Sequence, residues 1–252
     1  MRVVVTGGAG HLGGSVLRVL EARGASVVSA SRRTGVDLAT GAGLAAVLAG
    51  ADVVVHAATS PLHARRVDLG GTRRLVEVAR GASRPPHLVY VSIVGCDANP
   101  YPYYRTKHAC EQALAESGLP ATVVRATQFH PLLATLARAA RPFGLGLDVP
   151  GVGAQPCDVG WLAEQLADVV SGPAPDGFRR AADLAGPERV TLAEAVRLVA
   201  EHDGRRRPPV LRLPALGAVA RSFAQGSNLP GPDAQAGGTG FRGWLAAQPR
   251  RG

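Results

Sequence analysis

From the N-terminus to about residue 126, short apolar runs of strand length alternate with stretches in which apolar side chains recur every three or four residues. A strand buried on both faces reads as a continuous apolar run, and its alternation with helices marks βαβ units stacked into a parallel sheet. The pattern predicts strands over Arg2 to Thr6, Ser26 to Ala30, Asp52 to His56, His87 to Ser92 and Ala121 to Arg125, and a weaker one over Gln155 to Asp158. Helices are predicted to start near His11, Gly41, Val67, Tyr103 and Pro131. The expected fold class is therefore α/β, a doubly wound parallel sheet.

Beyond Asp158 the periodicity predicts helices over Val159 to Ser171 and Thr191 to His202, the second with Thr191 and Glu194 in capping-box spacing. Stretches rich in Pro and Gly, Gly172 to Gly177 and Gln225 to Gly240, read as loops, the second as a mobile one. Phe241 to Ala247 is expected to close over the fold with Trp244 as its apolar anchor. The expected organisation is a core over residues 1–172, with 129–154 contributing to a substrate pocket, and a small C-terminal substrate-facing lobe over 173–252 in the same folding unit. A chain of 252 residues, 46% hydrophobic, can bury a core of that size.

Composition narrows the partners. The formal charge of +9 would suit a phosphate backbone, but the arginines are scattered and no nucleic-acid motif accompanies them. The densest basic run, Arg205-Arg206-Arg207, precedes Pro208-Pro209 and reads as a solvated turn. No apolar segment is long enough to span a bilayer, and Met1-Arg2 leads straight into Val3-Val4-Val5 without room for a signal peptide. Cys96, Cys110 and Cys157 are far apart, a spacing that suggests neither a disulfide framework nor a metal site. These features imply a cytoplasmic protein that takes a small molecule, with no nucleic-acid or membrane partner, as a monomer or homodimer. One further fact stands out: Lys107 is the only lysine among 28 basic residues. Lys and Arg differ in shape and hydrogen-bond geometry, so a chain that otherwise uses arginine needs a compact ammonium there.

Thr6-Gly7-Gly8-Ala9-Gly10-His11-Leu12-Gly13 follows the first strand and opens a helix. Gly8, Gly10 and Gly13 fit G-x-G-x-x-G, and Gly7, Gly10 and Gly13 fit the wider G-x-x-G-x-x-G. Such glycines make a tight turn and let backbone N–H groups approach a pyrophosphate at a helix N-terminus, the fingerprint of a Rossmann dinucleotide site. Where an acid would bind the ribose of NAD, the second strand ends in Ser31-Arg32-Arg33, whose guanidinium groups would pair with a 2′-phosphate. NADP is therefore favoured over NAD. Asp37, next to Leu38, is either a partner for the adenine amino group or a solvated loop acid. His56-Ala57-Ala58-Thr59 places small residues where a cofactor could pass.

Tyr103 and Lys107, four apart, share a helix face. A tyrosine titrates near pH ~10, and a neighbouring ammonium is expected to lower that value toward the working range. Tyr103-Tyr104-Arg105-Thr106-Lys107 resembles the Tyr-x-x-x-Lys signature of the short-chain dehydrogenase/reductase superfamily, and the chain is most similar to its atypical, extended NmrA-like branch. The resemblance covers about residues 1–190, through Thr6 to Gly13, His56 to Ala58, Val67 to Thr72, Ser92, Tyr103 to Lys107, Glu111, Gly118-Leu119-Pro120 and Val124-Arg125. It implies Tyr103 as proton donor and acceptor, Lys107 as a holder of the nicotinamide ribose, and Ser92 as a hydrogen-bond donor to the substrate oxygen. Ser92 can also be read as a strand-end cap. Asp68 stands where many relatives carry asparagine, which departs from the water-mediated relay ascribed to that position. The pocket is expected to form beyond the strand ends, with Val94, Gln128, Phe129 and His130 facing a small carbonyl compound of apolar character; His130 can equally be the flank of a helix N-terminus. Three functions are implied: an NADPH-dependent carbonyl or quinone reductase, an NADP(H)-binding redox-sensing regulator without turnover, or an epimerase or dehydratase that retains its cofactor.

Overall fold

The computed structural model describes residues 1–250. In chain order the elements are β1 (Arg2–Thr6), α1 (His11–Ala22), β2 (Ser26–Ala30), α2 (Leu44–Leu48), β3 (Val53–His56), α3 (Gly70–Arg80), β4 (His87–Ile93), α4 (Pro102–Ala115), β5 (Ala121–Ala126), α5 (His130–Ala139), β6 (Gly146–Asp148), β7 (Gly153–Ala154), α6 (Val159–Ser171), β8 (Phe178–Arg180), β9 (Leu184–Ala185), β10 (Val190–Thr191), α7 (Leu192–His202), β11 (Val210–Arg212), α8 (Gly217–Ala224), β12 (Gln235–Ala236) and α9 (Phe241–Ala246). They divide into two compact units: Met1–Ser92, Pro102–Arg125 and Leu162–Ala182 form the first, and Ile93–Tyr101, Ala126–Trp161 and the chain from Asp183 onward form the second.

In the first unit the sheet runs β2-β1-β3-β4-β5, with β8 against β5. β1 pairs in parallel with both β2 and β3, β3 with β4, and β5 with β8. The chain winds outward from β1 to β2, then returns past β1 to β3, so the ends of β1 and β3 lie side by side with Thr6 paired to His56. That reversal opens a crevice at the carboxyl ends of the strands, where α/β sheets place their ligands. β3 and β5 are buried at every residue, which is why their sequences are continuous apolar runs, whereas the edge strand β2 is only partly covered. The doubly wound α/β fold expected from the sequence is present.

The main departure concerns the sixth strand. Gln155 to Asp158 is not a strand; Cys157 forms only an isolated bridge with Phe129, and Pro156 has no N–H to give to a ladder. The strand beside β5 in this unit is instead β8, whose three residues are exposed and so carry no apolar signal. The helix expected near Val67 begins with a π turn over Arg65–Leu69 that runs into α3.

In the second unit α5, α7 and α9 surround a core of Leu133, Ala137, Val196, Val199, Phe241 and Leu245. Phe241 is fully buried and Trp244 only partly, so the anchor of the last helix is Phe241, contrary to expectation. The capping box of α7 forms, with Glu194 N–H donating to Thr191 Oγ1 at 3.2 Å and Thr191 N–H to Glu194 Oε2 at 2.8 Å. Ala126 pairs with Leu184 of β9, and β9 with β12. The stretch Gln225 to Gly240 is thus tied down, also through Asn228, a buried residue whose side chain donates to the Gly153 carbonyl at 2.9 Å.

Candidate active site

The turn between β1 and α1 is compressed. Gly7 sits at φ +73°, and a Cβ there would lie 2.7 Å from Ala58 Cα. A Cβ at Gly13 would lie 2.3 Å from the Gly7 carbonyl oxygen. Glycine at both positions lets α1 and the Ala57-Ala58 segment close onto the turn. Gly10 caps α1 without a side chain, and no acid lies in the first turn. The first helical bond there comes from Gly14 N–H to Gly10 O, leaving the N–H groups of His11, Leu12 and Gly13 without an intrahelical acceptor. Ala9, Gly10 and His11 are exposed beside them, so the turn fits the pyrophosphate of a dinucleotide.

At the end of β2, Ser31 N–H donates to Thr34 Oγ1 and Thr34 Oγ1 donates to the Ser29 carbonyl, both at 2.9 Å. This closed turn carries Arg32 and Arg33 outward. Asp37 accepts the Ala39 N–H at 2.8 Å through Oδ1, so it also fixes its own loop, and Leu38 belongs to the core.

Lys107 is only 3% exposed. Its Nζ donates to the Val91 carbonyl at 2.8 Å and stands 4.3 Å from the centroid of the Tyr90 ring. Ser92, the next residue of β4, is also buried, as is Tyr104, which packs as expected. The Lys107 charge reaches His56: burial first, and then this ammonium, lower the imidazole to about 3. Thr72 gives its hydroxyl proton to the Asp68 carbonyl at 2.7 Å, so His56 Nε2–H donates to Thr72 at 3.1 Å and Nδ1 accepts from Thr6 at 2.7 Å.

The Tyr103 hydroxyl lies 2.8 Å from Thr59 Oγ1, and Thr59 Oγ1 donates to Asp68 Oδ1 at 2.6 Å. A threonine hydroxyl has one proton, so the phenol donates to Thr59. Asp68 is 1% exposed, on the π turn, and its Oδ2 accepts the Ser60 N–H at 3.0 Å. Burial pushes Tyr103 up to about 12, and the Asp68 charge adds to the rise. This corrects the expectation of a phenol lowered by Lys107: the ammonium is engaged by Val91 and Tyr90. Thr59, expected to lie along the cofactor, has its hydroxyl between the phenol and a carboxylate. Asp68 was legible only as a departure from asparagine, and Ser60 gave no signal. Glu111 and Arg125 form a buried bidentate pair at 2.9 and 2.7 Å, tying α4 to β5. A cleft of about 660 Å³ lies beside Tyr103, with Leu62, His63, Arg65, Arg66 and Arg105 in its lining.

In the second unit Val94 is buried, its N–H donating to Ala126 O at 3.0 Å. Gln128 Oε1 accepts from Asn228 Nδ2 at 3.3 Å, and Phe129 caps α5. His130 is 1% exposed, its Nε2 donates to the Thr239 carbonyl at 2.8 Å, and its ring stacks on Trp244 with centroids 5.4 Å apart. His130 is therefore a packed residue of the α5 N-terminus, as its alternative reading had it, rather than a side chain presented to a substrate. Asn228, beside Gln128, was missed because its segment reads as loop.

Residues 7–132, half of the chain, match the family model described as NAD(P)H-binding. The chain belongs to the NAD(P)H-binding family. NAD(P)H binding is what the glycine turn implied. No curated protein matches the chain. Among solved structures, this NAD(P)H-binding protein is similar to MoeE5 in complex with UDP-glucuronic acid and NAD, at 21% identity over 98% of this chain and 97% of that one, with a TM-score of 0.74. It is also similar to the Thermus thermophilus UDP-glucose 4-epimerase complexed with NAD, at 21% identity over 97% and 98%, with a TM-score of 0.67. The Bacillus anthracis dTDP-4-dehydrorhamnose reductase in complex with NADP matches at 16% identity over 93% and 89%, with a TM-score of 0.63. At these identities the likeness is one of fold. Among the described residues no helix is long and apolar enough to cross a membrane.

Proposed function

We propose that this NAD(P)H-binding protein is a cytoplasmic NADPH-dependent reductase of carbonyl compounds, ketones or quinones, with Tyr103 as its general acid and base. The observation that supports this most is that Tyr103 and the chain's single lysine lie four residues apart on α4, in the unit that carries the glycine turn. Gly7, Gly8, Gly10, His11, Leu12 and Gly13 would hold the pyrophosphate, and Ala57 and Ala58 would flank it. Ser31, Arg32 and Arg33 would pair with the 2′-phosphate, and Asp37 and Leu38 would border the adenine. When bound, the dinucleotide supplies the hydride. Lys107 would hold its ribose, Ser92 would donate to the carbonyl oxygen, and Tyr103 would give that oxygen its proton as hydride reaches the carbon. Val94, Gln128 and Phe129 are the proposed substrate contacts, with His130 packed at the start of α5 just after Phe129. The arginines and histidine of the cleft beside Tyr103 favour substrates that carry an acidic group.

The epimerase among the solved neighbours favours a second reading, in which the cofactor stays bound and is not consumed. A third is a regulator that binds NADP(H) without turnover. Titration with NADPH and NADH, followed by assay against ketones, aldehydes and quinones with and without acidic groups, separates the three. Net NADPH consumption supports the reductase, cofactor surviving desalting without net consumption supports the epimerase type, and binding with no turnover of any kind supports the regulator.

A further inference from the structure

β2 ends its side of the sheet, pairing with β1 and with no other strand among the described residues. Along a strand, successive residues turn their backbone N–H and C=O groups to opposite sides. Ser26 N–H donates to the Met1 carbonyl at 3.0 Å and the Ala30 carbonyl accepts the Gly7 N–H at 2.8 Å, so Ser26, Val28 and Ala30 face β1. Val27 and Ser29 therefore face outward. The Ser29 carbonyl accepts from Thr34 Oγ1 at 2.9 Å, which leaves Val27 N–H, Val27 C=O and Ser29 N–H in line without a partner among the described residues. Sheets blunt such an edge with a charge, a proline or a bulge. Ser26-Val27-Val28-Ser29-Ala30 has no charge and no proline, and its register with β1 is unbroken. Beside this edge runs a groove of about 600 Å³ whose apolar walls include Val27, Val28, Val36, Ala46 and Val47. Its shape is fixed where Gly43, at φ +70°, meets Gly35: a Cβ there would lie 2.5 Å from the Gly35 carbonyl oxygen. Cations stand at both ends of the strand. Arg2, opposite Ser26, donates through Nη2 to the Val47 carbonyl at 3.0 Å, and the exposed Arg32 and Arg33 follow β2. The acid near Arg2 is Asp52, which accepts the Arg2 N–H at 2.7 Å and stands 3.6 Å from Arg84.

We propose that β2 is a docking edge for an extended, acidic peptide segment of another protein, which adds to the sheet as a further strand. A row of N–H, C=O and N–H groups is matched in register by another extended backbone, and these bonds supply affinity whatever the sequence. The apolar walls of the groove take one apolar side chain of the segment, which supplies part of the selectivity. The guanidinium groups at the two ends of β2 supply the rest, by favouring acidic residues on either side of that side chain. A second copy of this chain is a poorer occupant. It would bring the same arginines, and its own formal charge of +9, against a chain that already carries +9. β1 and β3 lie between β2 and β4, and Tyr103 takes no part, so the inference does not rest on the reductase reading.

The test pans a phage-displayed library of random peptides on the full chain and measures binding of the selected peptides by fluorescence anisotropy. The expected peptides are acidic, with an apolar residue between their acids, and their affinity falls as salt is raised. Val27→Pro removes an outward N–H without touching the ladder to β1 and should weaken binding by about fivefold or more. Ala46→Asp, at an exposed position of α2, sets a like charge in the groove wall and should weaken it similarly while leaving the fold intact. Hydrogen exchange followed by NMR gives the direct readout: the Val27 and Ser29 amides should exchange about tenfold more slowly with peptide bound. A library that yields no binder, peptides without acidic residues, or affinity unchanged in both variants overturns the proposal. Slowed exchange of the same two amides that grows with protein concentration, with no peptide present, would put a second copy on the edge and overturn it as well.

Discussion

Arg32 and Arg33 show how much one strand end can decide. They leave the sheet on a turn locked by Ser31 and Thr34, so their guanidinium groups are presented outward at the end of β2. A charge-assisted hydrogen bond contributes about 1.5–3 kcal/mol. Replacing both arginines with alanine should therefore weaken NADPH binding by roughly 10- to 100-fold and leave NADH binding little changed, as measured by cofactor fluorescence. Equal losses for both cofactors would show that the arginines do not read the phosphate. At this scale the sequence was informative where a residue type is rare, as with Lys107, and silent where function depends on which neighbour a common side chain meets. Thr59 is one threonine among many until the fold brings Asp68 and Tyr103 to it.

At the scale of elements, α4 carries Tyr103 and Lys107, and its register against β5 is held by the Glu111–Arg125 pair. Removing one partner of a buried pair strands the other charge, at a cost of about 3–5 kcal/mol. Glu111→Ala should lower the denaturation midpoint accordingly, while Glu116→Ala, on an exposed position just beyond the same helix, should not. The apolar runs of β1, β3, β4 and β5 made those strands legible, because burial on both faces demands such runs. β8 and β9 were not legible: they are two or three residues long, and β8 is exposed. The π turn was equally hidden, since one extra residue in a helical turn leaves no periodic trace.

For the molecule as a whole, histidines set the acid limit of stability. His56 is lowered by burial and then by Lys107 to about 3, and His87 and His130 are lowered chiefly by burial. The unfolded chain takes up protons below about pH 6.5 while these native imidazoles stay neutral, so the unfolded state binds more protons through that window. Stability should fall as pH drops from about 6.5 toward 3. Thermal melts at stepped pH should show that slope flattened in His56→Asn; an unchanged slope would mean that His56 is free to charge. The excess of arginine is consistent with phosphate-bearing ligands but did not by itself select one, and it was the glycine turn that did.

The most direct measurement is NADPH turnover by wild type and Tyr103→Phe, with NADPH binding followed on the same preparations. Equal binding with turnover reduced by about 10²- to 10⁴-fold in the variant is the expected result. Turnover at the wild-type rate without the phenol would contradict the assignment of Tyr103 as the proton donor.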